Sequence, residues 1–198
     1  LQGDWSSDVC SSDLLAETAE RGLFDAYFLA DGLAIAFGGG MEGGNAKVAG
    51  FEPLTLFAAL APLTTNLGFI ATASTTYEEP YSVARKFASL DLISDGRAGW
   101  NVVTTATESA AHNFNLDRQH PHAFRYARAR EHVDVVKKLW DSFEDDAFIR
   151  DKASGVFFDA SRVHYADHRG EHFKVRGPLN VPRSPQGHPV IVQAGQSD

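Results

Sequence analysis

Hydrophobic residues along the chain alternate between two patterns. Short apolar runs, typical of buried strands, occur at residues 24–30, 67–73, 100–103 and 189–193. Between them, apolar residues recur at spacings of three and four, which predicts helices at residues 14–21, 53–60, 80 onward and 121–143. In the helix that Pro80 opens, the stripe consists of Val83, Phe87 and Leu90. This alternation predicts an α/β fold with a parallel sheet and right-handed crossovers.

The longest predicted helix, 121–143, carries an apolar stripe that continues for several turns. The stripe consists of Tyr126, Ala129, Val133, Val136 and Trp140. Extended backward by one turn, the same line reaches His122. We therefore expect His122 and Tyr126 to lie on the inward-facing side of this helix, at its amino end. Helix amino ends attract anions, and an imidazole and a phenol add two donors, so the pair suits a phosphate.

Polar residues follow the apolar runs at the points where the predicted strands end. These residues are Asp31 after the first run, Thr72 and residues 74–76 at the second, and Asn101, Thr104 and Thr105 at the third. Because the carboxyl ends of parallel strands meet at one edge of a sheet, we expect these side chains to lie together. Spacing alone favours plainer roles, namely a turn residue for Asp31 and backbone hydrogen bonds for the hydroxyls.

Several local patterns indicate loops rather than chemistry. Gly38, Gly40 and Gly43 form G-x-G-x-x-G, but poor helix formers follow, so we reject a dinucleotide motif and predict a mobile loop. Ser197 lacks the G-x-S-x-G pattern of a serine nucleophile. Neither motif therefore supports dinucleotide binding or serine hydrolase chemistry.

Residues 145–188 lack helical periodicity and predict an insertion that packs as a lid or carries function. We expect a hairpin within it, with its turn near Arg169 and Gly170. Histidines recur every four residues at His164, His168 and His172. A spacing of four places side chains on one face only in a helix, and this segment is predicted to form strands and turns. We therefore expect no metal site at these histidines.

Charge and composition exclude some classes of partner. The net charge of −8, with 18 scattered basic residues, argues against nucleic acid. No apolar run reaches the roughly 20 residues of a membrane span, and no signal-peptide pattern opens the chain. The single cysteine, Cys10, excludes an internal disulfide framework and fits a reducing cytoplasm. Residues 1–14 repeat Ser-Ser-Asp without periodicity, so we interpret them as a non-native or disordered leader before a domain at 15–198.

Five segments carry a family resemblance that covers residues 15–198. In chain order they are FDAYFLADG, FEPLTLFAALA, STTYEEPYSVARKFASLD, SDGRAGWNVVTT and RGPLNVPRSPQGHPVIVQAGQSD. The chain resembles the bacterial luciferase-like flavin monooxygenases, and within them the branch that acts on nitrilotriacetate, EDTA, dibenzothiophene sulfone and long-chain alkanes. This resemblance implies part of a (β/α)8 TIM barrel, about strands two to five, with the insertion before the last strand.

The resemblance also implies an activity and a set of contacts. The activity is a two-component monooxygenase reaction, in which a separate NAD(P)H-dependent reductase supplies reduced FMN and one oxygen atom of O2 enters a small organic substrate. The implied FMN contacts are Asp31, Thr72, Asn101, His122, Tyr126 and Ser197, with Ser74 and Thr75 as alternatives to Thr72. No residue is implied as a catalytic acid or base, and the full-length protein is expected to form homo-oligomers.

Two alternatives stay open at this point. One is a flavin- or deazaflavin-binding barrel without oxygen transfer, acting in hydride transfer or flavin sequestration, and the other is an α/β fragment without a site. A complete barrel needs about 250 residues, and this chain has 198. We therefore expect the chain alone to bind FMN weakly and to turn over little. The sequence leaves the substrate undetermined.

Overall fold

The structure is a computed structural model that describes residues 9–35 and 49–193. Its helices are α1 (Val9–Arg21), α2 (Pro53–Leu60), α3 (Pro80–Ile93), α4 (Glu108–His112) and α5 (His122–Trp140). Its strands are β1 (Ala26–Leu29), β2 (Gly68–Ser74), β3 (Ala98–Val103), β4 (His168–Arg169), β5 (Lys174–Val175) and β6 (Val190–Val192). Apart from the short helix α4, the elements follow the predicted order.

Four strands form one parallel sheet in the order β1-β2-β3-β6. The register places Thr72 of β2 opposite Asn101 of β3, and Asn101 opposite Val192 of β6. The parallel α/β fold is therefore confirmed. Over the residues described, the sheet is open, with β1 and β6 at its edges, and its assignment to strands two to five of a barrel stays a prediction.

The core lies between the sheet and helices α2, α3 and α5. Trp100, fully buried, is its centre, with ring centroids 5.7 Å from Phe87, 5.7 Å from His132 and 6.4 Å from Trp140. The predicted stripe of Val83, Phe87 and Leu90 is buried. Because Trp100 faces the helices, strand alternation places its neighbour Asn101 on the opposite face of the sheet.

Helix α1 begins at Val9, earlier than the predicted start at Leu14. Ser12, within this helix, is buried. The interpretation of residues 1–14 as a non-native or disordered leader stays a prediction. The predicted turn after α3 is confirmed, since Asp95 and Gly96 adopt positive φ angles of 56° and 82°.

The edge of the sheet formed by the amino ends of its strands is held by Arg97, at the start of β3. Its guanidinium donates to the carbonyl oxygens of Ala61 (2.8 Å), Thr64 (3.1 Å) and Leu67 (2.5 Å). Arg97 also lies over the ring of Phe69, 5.4 Å from its centroid. All of these contacts lie within the fold, so this edge has a structural role.

The insertion contains the predicted hairpin, in which β4 pairs antiparallel with β5. Glu131 of α5 anchors it, accepting hydrogen bonds from His168 Nε2 (2.8 Å) and from the backbone N–H groups of His172 and Phe173 (3.0 Å each). Burial acts to raise the pKa of Glu131, but these hydrogen bonds outweigh it and hold the pKa at about 2. The hairpin is therefore fixed to the helix that follows β3.

Candidate functional site

The carboxyl edge of the sheet collects loops from separate parts of the chain. Asn113 Nδ2 donates to Leu33 O at 2.9 Å, which joins the segment after β1 to α4. Gln119 Nε2 donates to Tyr77 OH at 2.7 Å and to Thr105 O at 2.9 Å, which joins the loops after β2 and β3. The predicted meeting of these strand ends at one edge is therefore observed.

A buried polar pair, Thr72 and Asn101, lies on the face of the sheet that points away from the helices. Asn101 Nδ2 donates to Thr72 Oγ1 at 2.9 Å, and Thr72 Oγ1 donates to Leu29 O at 2.7 Å. Only 3% of Asn101 and 4% of Thr72 are exposed. Among residues 9–35 and 49–193, the Oδ1 atom of Asn101 has no hydrogen-bond partner.

The hydroxyls at the carboxyl ends of β2 and β3 divide into two kinds. Thr75 donates to Val103 O at 3.1 Å and Thr76 donates to Thr104 O at 2.7 Å, so both satisfy the backbone of β3 and its loop. Ser74 Oγ and Thr105 Oγ1 lie 2.8 Å apart. Because this pair shares one hydrogen bond, one of its two hydroxyl protons is left for another acceptor.

Asp31 lies just beyond β1 at the same edge. Desolvation by surrounding protein atoms and the nearby carboxylates of Glu52 and Glu78 raise the pKa of Asp31, although its side chain is exposed. Like charges crowd this part of the edge. It therefore suits a neutral donor group of a ligand better than an anionic one.

His122 and Tyr126 stack at the start of α5, with ring centroids 4.3 Å apart and an interplanar angle of 27°. Tyr126 is half-buried, but His122 is exposed, so the prediction that His122 heads an inward-facing side is wrong for this residue. The buried side of α5 begins instead at Arg125. Both Tyr126 and Arg125 lie one helical turn before Ala129, three and four residues away. The apolar pattern of the sequence predicted that Tyr126, and not Arg125, continues the buried side.

Sequence reasoning missed two buried residues on this side of α5. Arg125 is 8% exposed, and its Nη1 donates to His120 O at 2.5 Å. Its Nε has no hydrogen-bond partner within the part of the chain that the structure describes. His132 is fully buried, with Nε2 3.2 Å from Glu78 O, and burial lowers the pKa of His132 to about 4. Their spacing in the sequence could have identified them, since each lies four residues before a buried residue, Ala129 or Val136. They were missed because a search for apolar residues passes over arginine and histidine.

Ser197 and the glycine-rich segment with Gly38, Gly40 and Gly43 lie outside the described residues. His164 contacts Glu144 at 2.9 Å and His168 contacts Glu131 at 2.8 Å, so each of these two histidines pairs with a different carboxylate. Over residues 9–35 and 49–193, no group of three or more candidate ligands could hold a metal ion. Over the same ranges, no helix has the length and apolar character needed to cross a membrane.

Comparison with known families identifies the class. Residues 14–198 match the luciferase-like monooxygenase family, and the chain belongs to this family. It is 56% identical to N-acetyl-S-(2-succino)cysteine monooxygenase of Bacillus subtilis, over 92% of this chain and 41% of that protein. It is 54% identical to nitrilotriacetate monooxygenase component A of Aminobacter aminovorans, over 92% of this chain and 42% of that protein.

Solved structures agree with this placement. The chain superposes on long-chain alkane monooxygenase with a TM-score of 0.88 and 40% identity, covering 96% of this chain and 45% of that one. It superposes on riboflavin lyase, solved with a modified FMN and riboflavin, with a TM-score of 0.89 and 39% identity, covering 96% and 44%. The branch expected from the sequence is confirmed, and the chain spans less than half the length of these relatives.

The polar groups at the carboxyl edge fit a flavin in their chemistry. A flavin combines a ring system that carries N–H and carbonyl groups with, in FMN, an anionic phosphate. The edge offers an orphaned buried acceptor in Asn101 and a hydroxyl pair in Ser74 and Thr105. The amino end of α5 adds peptide N–H groups beside His122 and Tyr126, which suit an anion.

Proposed function

We propose that this chain is the flavin-binding part of the oxygenase of a two-component monooxygenase, which receives reduced FMN from a separate NAD(P)H-dependent reductase. The observation that carries the proposal is the buried Thr72–Asn101 pair, which leaves one acceptor unsatisfied on the face of the sheet turned away from the helices. Buried acceptors in folded proteins nearly always have a hydrogen-bond partner, so an acceptor left without one among the described residues supports a polar ligand on this face.

We propose a role for individual residues at the carboxyl edge of the sheet. His122, Tyr126 and the first N–H groups of α5 hold the phosphate, because helix amino ends favour anions. Asn101 contacts the ring, and Asp31 accepts from a donor group of the ligand away from the phosphate. Ser197 is proposed as a further contact from the family resemblance. When bound, the reduced flavin supplies the electrons that activate O2, and the protein orients the ring and excludes water.

The substrate is proposed to be a small organic molecule. The two relatives compared above act, by name, on N-acetyl-S-(2-succino)cysteine and nitrilotriacetate, and both molecules carry several carboxylates. We propose polycarboxylates as the first class to test, with sulfones and alkanes as the next, since other relatives act on them.

We also propose that residues beyond this chain complete the barrel, as the greater length of the relatives suggests. The chain alone would then bind FMN weakly and turn over little. A sequence extended to the length of the relatives would bind more tightly. This comparison is made by titrating both proteins with reduced FMN under anaerobic conditions.

The test of the activity is oxygen uptake by the extended protein. With NADH, FMN and an added flavin reductase, uptake should rise when nitrilotriacetate or N-acetyl-S-(2-succino)cysteine is added, and a hydroxylated or cleaved product should form in proportion. The matched control omits the oxygenase. If no member of a panel of polycarboxylates, sulfones and alkanes yields a product, the monooxygenase proposal fails.

A second candidate is a related enzyme whose substrate is itself a flavin. The similarity to riboflavin lyase, whose structure holds a modified FMN, shows that a related chain acts on a flavin itself. In that case flavin would bind, and the panel of substrates would leave oxygen uptake unchanged.

A further inference from the structure

We propose that the phenol of Tyr77 donates a hydrogen bond to a carboxylate oxygen of the organic substrate, and that Gln119 fixes the direction of this donor. The inference rests on the proposed monooxygenase function and adds two residues to its substrate site. Tyr77 lies in the loop after β2 and is half-buried, and Gln119 lies between α4 and α5. Tyr77 binds the substrate, and Gln119 is a positioning residue that acts through it.

The orientation of the Gln119 amide follows from its neighbours. Its Oε1 accepts a hydrogen bond from the backbone N–H of His120 at 2.8 Å, so this end of the amide is the oxygen. Its Nε2, which can only donate, lies 2.7 Å from Tyr77 OH, 2.9 Å from Thr105 O and 3.2 Å from Thr107 O. The phenol oxygen of Tyr77 is therefore the acceptor in its contact with Gln119.

This contact leaves the hydroxyl proton of Tyr77 for another acceptor. A phenol carries one proton and can donate and accept at the same time. Within residues 9–35 and 49–193, the hydrogen bond of Tyr77 is the one that it accepts from Gln119. Its ring stacks on Phe114, with centroids 4.3 Å apart and an interplanar angle of 13°. The fold therefore holds this donor in place without using its proton.

The same amide also holds a residue in an unusual backbone conformation. Thr105, whose carbonyl oxygen accepts from Gln119, has a φ angle of 37°, which β-branched residues rarely adopt. Such conformations cost free energy, persist only where the surrounding contacts enforce them, and cluster at ligand sites. Gln119 thus anchors both the Tyr77 phenol and a strained residue of the loop after β3.

The position of Tyr77 favours the substrate over the flavin as the acceptor. Tyr77 lies three residues beyond Ser74, where β2 ends, whereas the ring is proposed to bind at the strand ends beside Asn101. A second molecule that lies over this ring comes next to the loops beyond the strand ends. Carboxylates accept strong hydrogen bonds from neutral donors, and both nitrilotriacetate and N-acetyl-S-(2-succino)cysteine carry several.

The test uses the sequence extended to the length of the relatives, with reduced FMN supplied by an added reductase. The variants are Tyr77→Phe, Gln119→Leu and Gln119→Glu. Tyr81→Phe is the matched control, because its phenol lies 3.2 Å from Pro178 O, in the insertion. We measure KM and kcat for nitrilotriacetate and N-acetyl-S-(2-succino)cysteine. Calorimetry gives the Kd of each compound and of anaerobically reduced FMN, and circular dichroism establishes that each variant is folded.

Tyr77→Phe should raise KM and Kd for the polycarboxylate about tenfold, the loss expected for one hydrogen bond to a charged group. Its kcat and its Kd for reduced FMN should stay unchanged, because the lost contact is made equally before and during the reaction. Tyr81→Phe should match wild type in all of these quantities.

Gln119→Glu tests the direction of the donor, also where Tyr77→Phe does not fold. At pH 8 the new carboxylate cannot donate and takes the phenol proton itself, so KM relative to wild type should rise as in Tyr77→Phe. At pH 5 a share of this carboxyl group, with an ordinary pKa of about 4.3, is protonated and donates again. The ratio to wild type should therefore fall towards one, whereas Gln119→Leu should show no such recovery.

Two results would overturn the inference while leaving the monooxygenase standing. One is a Tyr77→Phe variant whose KM and Kd for polycarboxylates match wild type, or whose affinity for reduced FMN falls by the same factor. The other is a wild-type protein that oxygenates only compounds without a carboxylate. Wild type that oxygenates no member of the panel would overturn the proposed function and this inference together.

Discussion

At the scale of single residues, His132 is a buried imidazole in the aromatic core around Trp100. It lies between Trp100 and Phe173, with centroids 5.7 Å and 5.5 Å away, and its Nε2 lies 3.2 Å from Glu78 O. Burial lowers its pKa to about 4, and the adjacent Arg128 also disfavours the cation. The folded protein therefore keeps this histidine neutral.

This residue predicts a pH dependence of stability. An unfolded histidine titrates near pH 6.5, so the unfolded state binds a proton before the folded state does. The free energy of unfolding should be at its plateau above pH 6.5 and should fall as the pH decreases towards 4, by about 3 kcal/mol in total. Urea unfolding between pH 4 and pH 8 measures this change.

The matched variant for this test is His132→Gln, which cannot titrate in this range but can still donate to Glu78 O. Its free energy of unfolding should vary less between pH 6.5 and pH 4 than that of wild type. Equal slopes in both proteins would show that His132 does not control the pH dependence.

Contacts between individual side chains were the feature that the sequence predicted least well. The pattern of apolar runs placed Asn101 and Thr72 on neighbouring strands. It could not show that the hydroxyl group of Thr72 donates a hydrogen bond to Leu29 O. That bond depends on the relative position of two strands 43 residues apart. Likewise, helical spacing left two possible lines through α5, and only packing against Trp100 selects the one through Arg125 and His132.

At the scale of elements, the insertion hairpin depends on a single carboxylate. Glu131 accepts three hydrogen bonds from the hairpin, and a Cβ at Gly170 would overlap its Oε1. Burial acts to raise the pKa of Glu131, but the hydrogen bonds outweigh it and hold this pKa at about 2, below the ordinary 4.5. This stabilisation is therefore complete above pH 4.5 and is lost as the pH falls towards 2. This window lies below that of His132.

We predict that Glu131→Gln destabilises the hairpin, because the amide nitrogen must face one or more N–H donors. The expected loss is about 2 kcal/mol, in the range for hydrogen bonds to a charged group, measured by urea unfolding at pH 7. Glu171→Gln, an exposed carboxylate of the same turn, is the control and should change stability little. Equal effects of the two substitutions would contradict the anchoring role.

The same anchor predicts the effect of a small substitution in the turn. Gly170→Ala should displace the Glu131 side chain, since the added methyl group and the carboxylate cannot share one position. Amide exchange at His172 and Phe173, whose N–H groups donate to Glu131, should accelerate. Unchanged exchange at both amides would show that the turn accommodates the methyl group.

Elements themselves were largely predictable, because each has a period or a boundary residue of its own. Helix α2 has the predicted bounds, and Pro80 opens α3 as expected. The hairpin turn near Arg169 and Gly170 is confirmed. Helix α4 was missed because its five residues are too few to show an amphipathic period.

At the scale of the whole molecule, the open sheet leaves two parallel edge strands. Phe28 of β1 is 44% exposed and Val190 of β6 is 53% exposed. Unpaired edges with apolar side chains favour pairing with another chain. We predict that the 198-residue chain self-associates as its concentration rises, measured by sedimentation velocity.

The matched comparison is the sequence extended to the length of its relatives, in which further strands would cover β1 and β6. Its sedimentation coefficient should be independent of concentration once any defined oligomer has formed. If the 198-residue chain stays monomeric at high concentration, the edges are protected in some other way and the proposal of a completed barrel loses this support.

The measurement that tests the central claim most directly is hydrogen exchange of the chain with and without reduced FMN, under anaerobic conditions. Binding at the carboxyl edge predicts slower exchange in residues 72–78, 101–107 and 122–126. Residues 61–67 and 94–97, at the opposite edge around Arg97, should exchange as before. Protection of the Arg97 edge, or no protection anywhere at saturating flavin, would contradict the placement of the cofactor at the ends of β2 and β3 and at the start of α5.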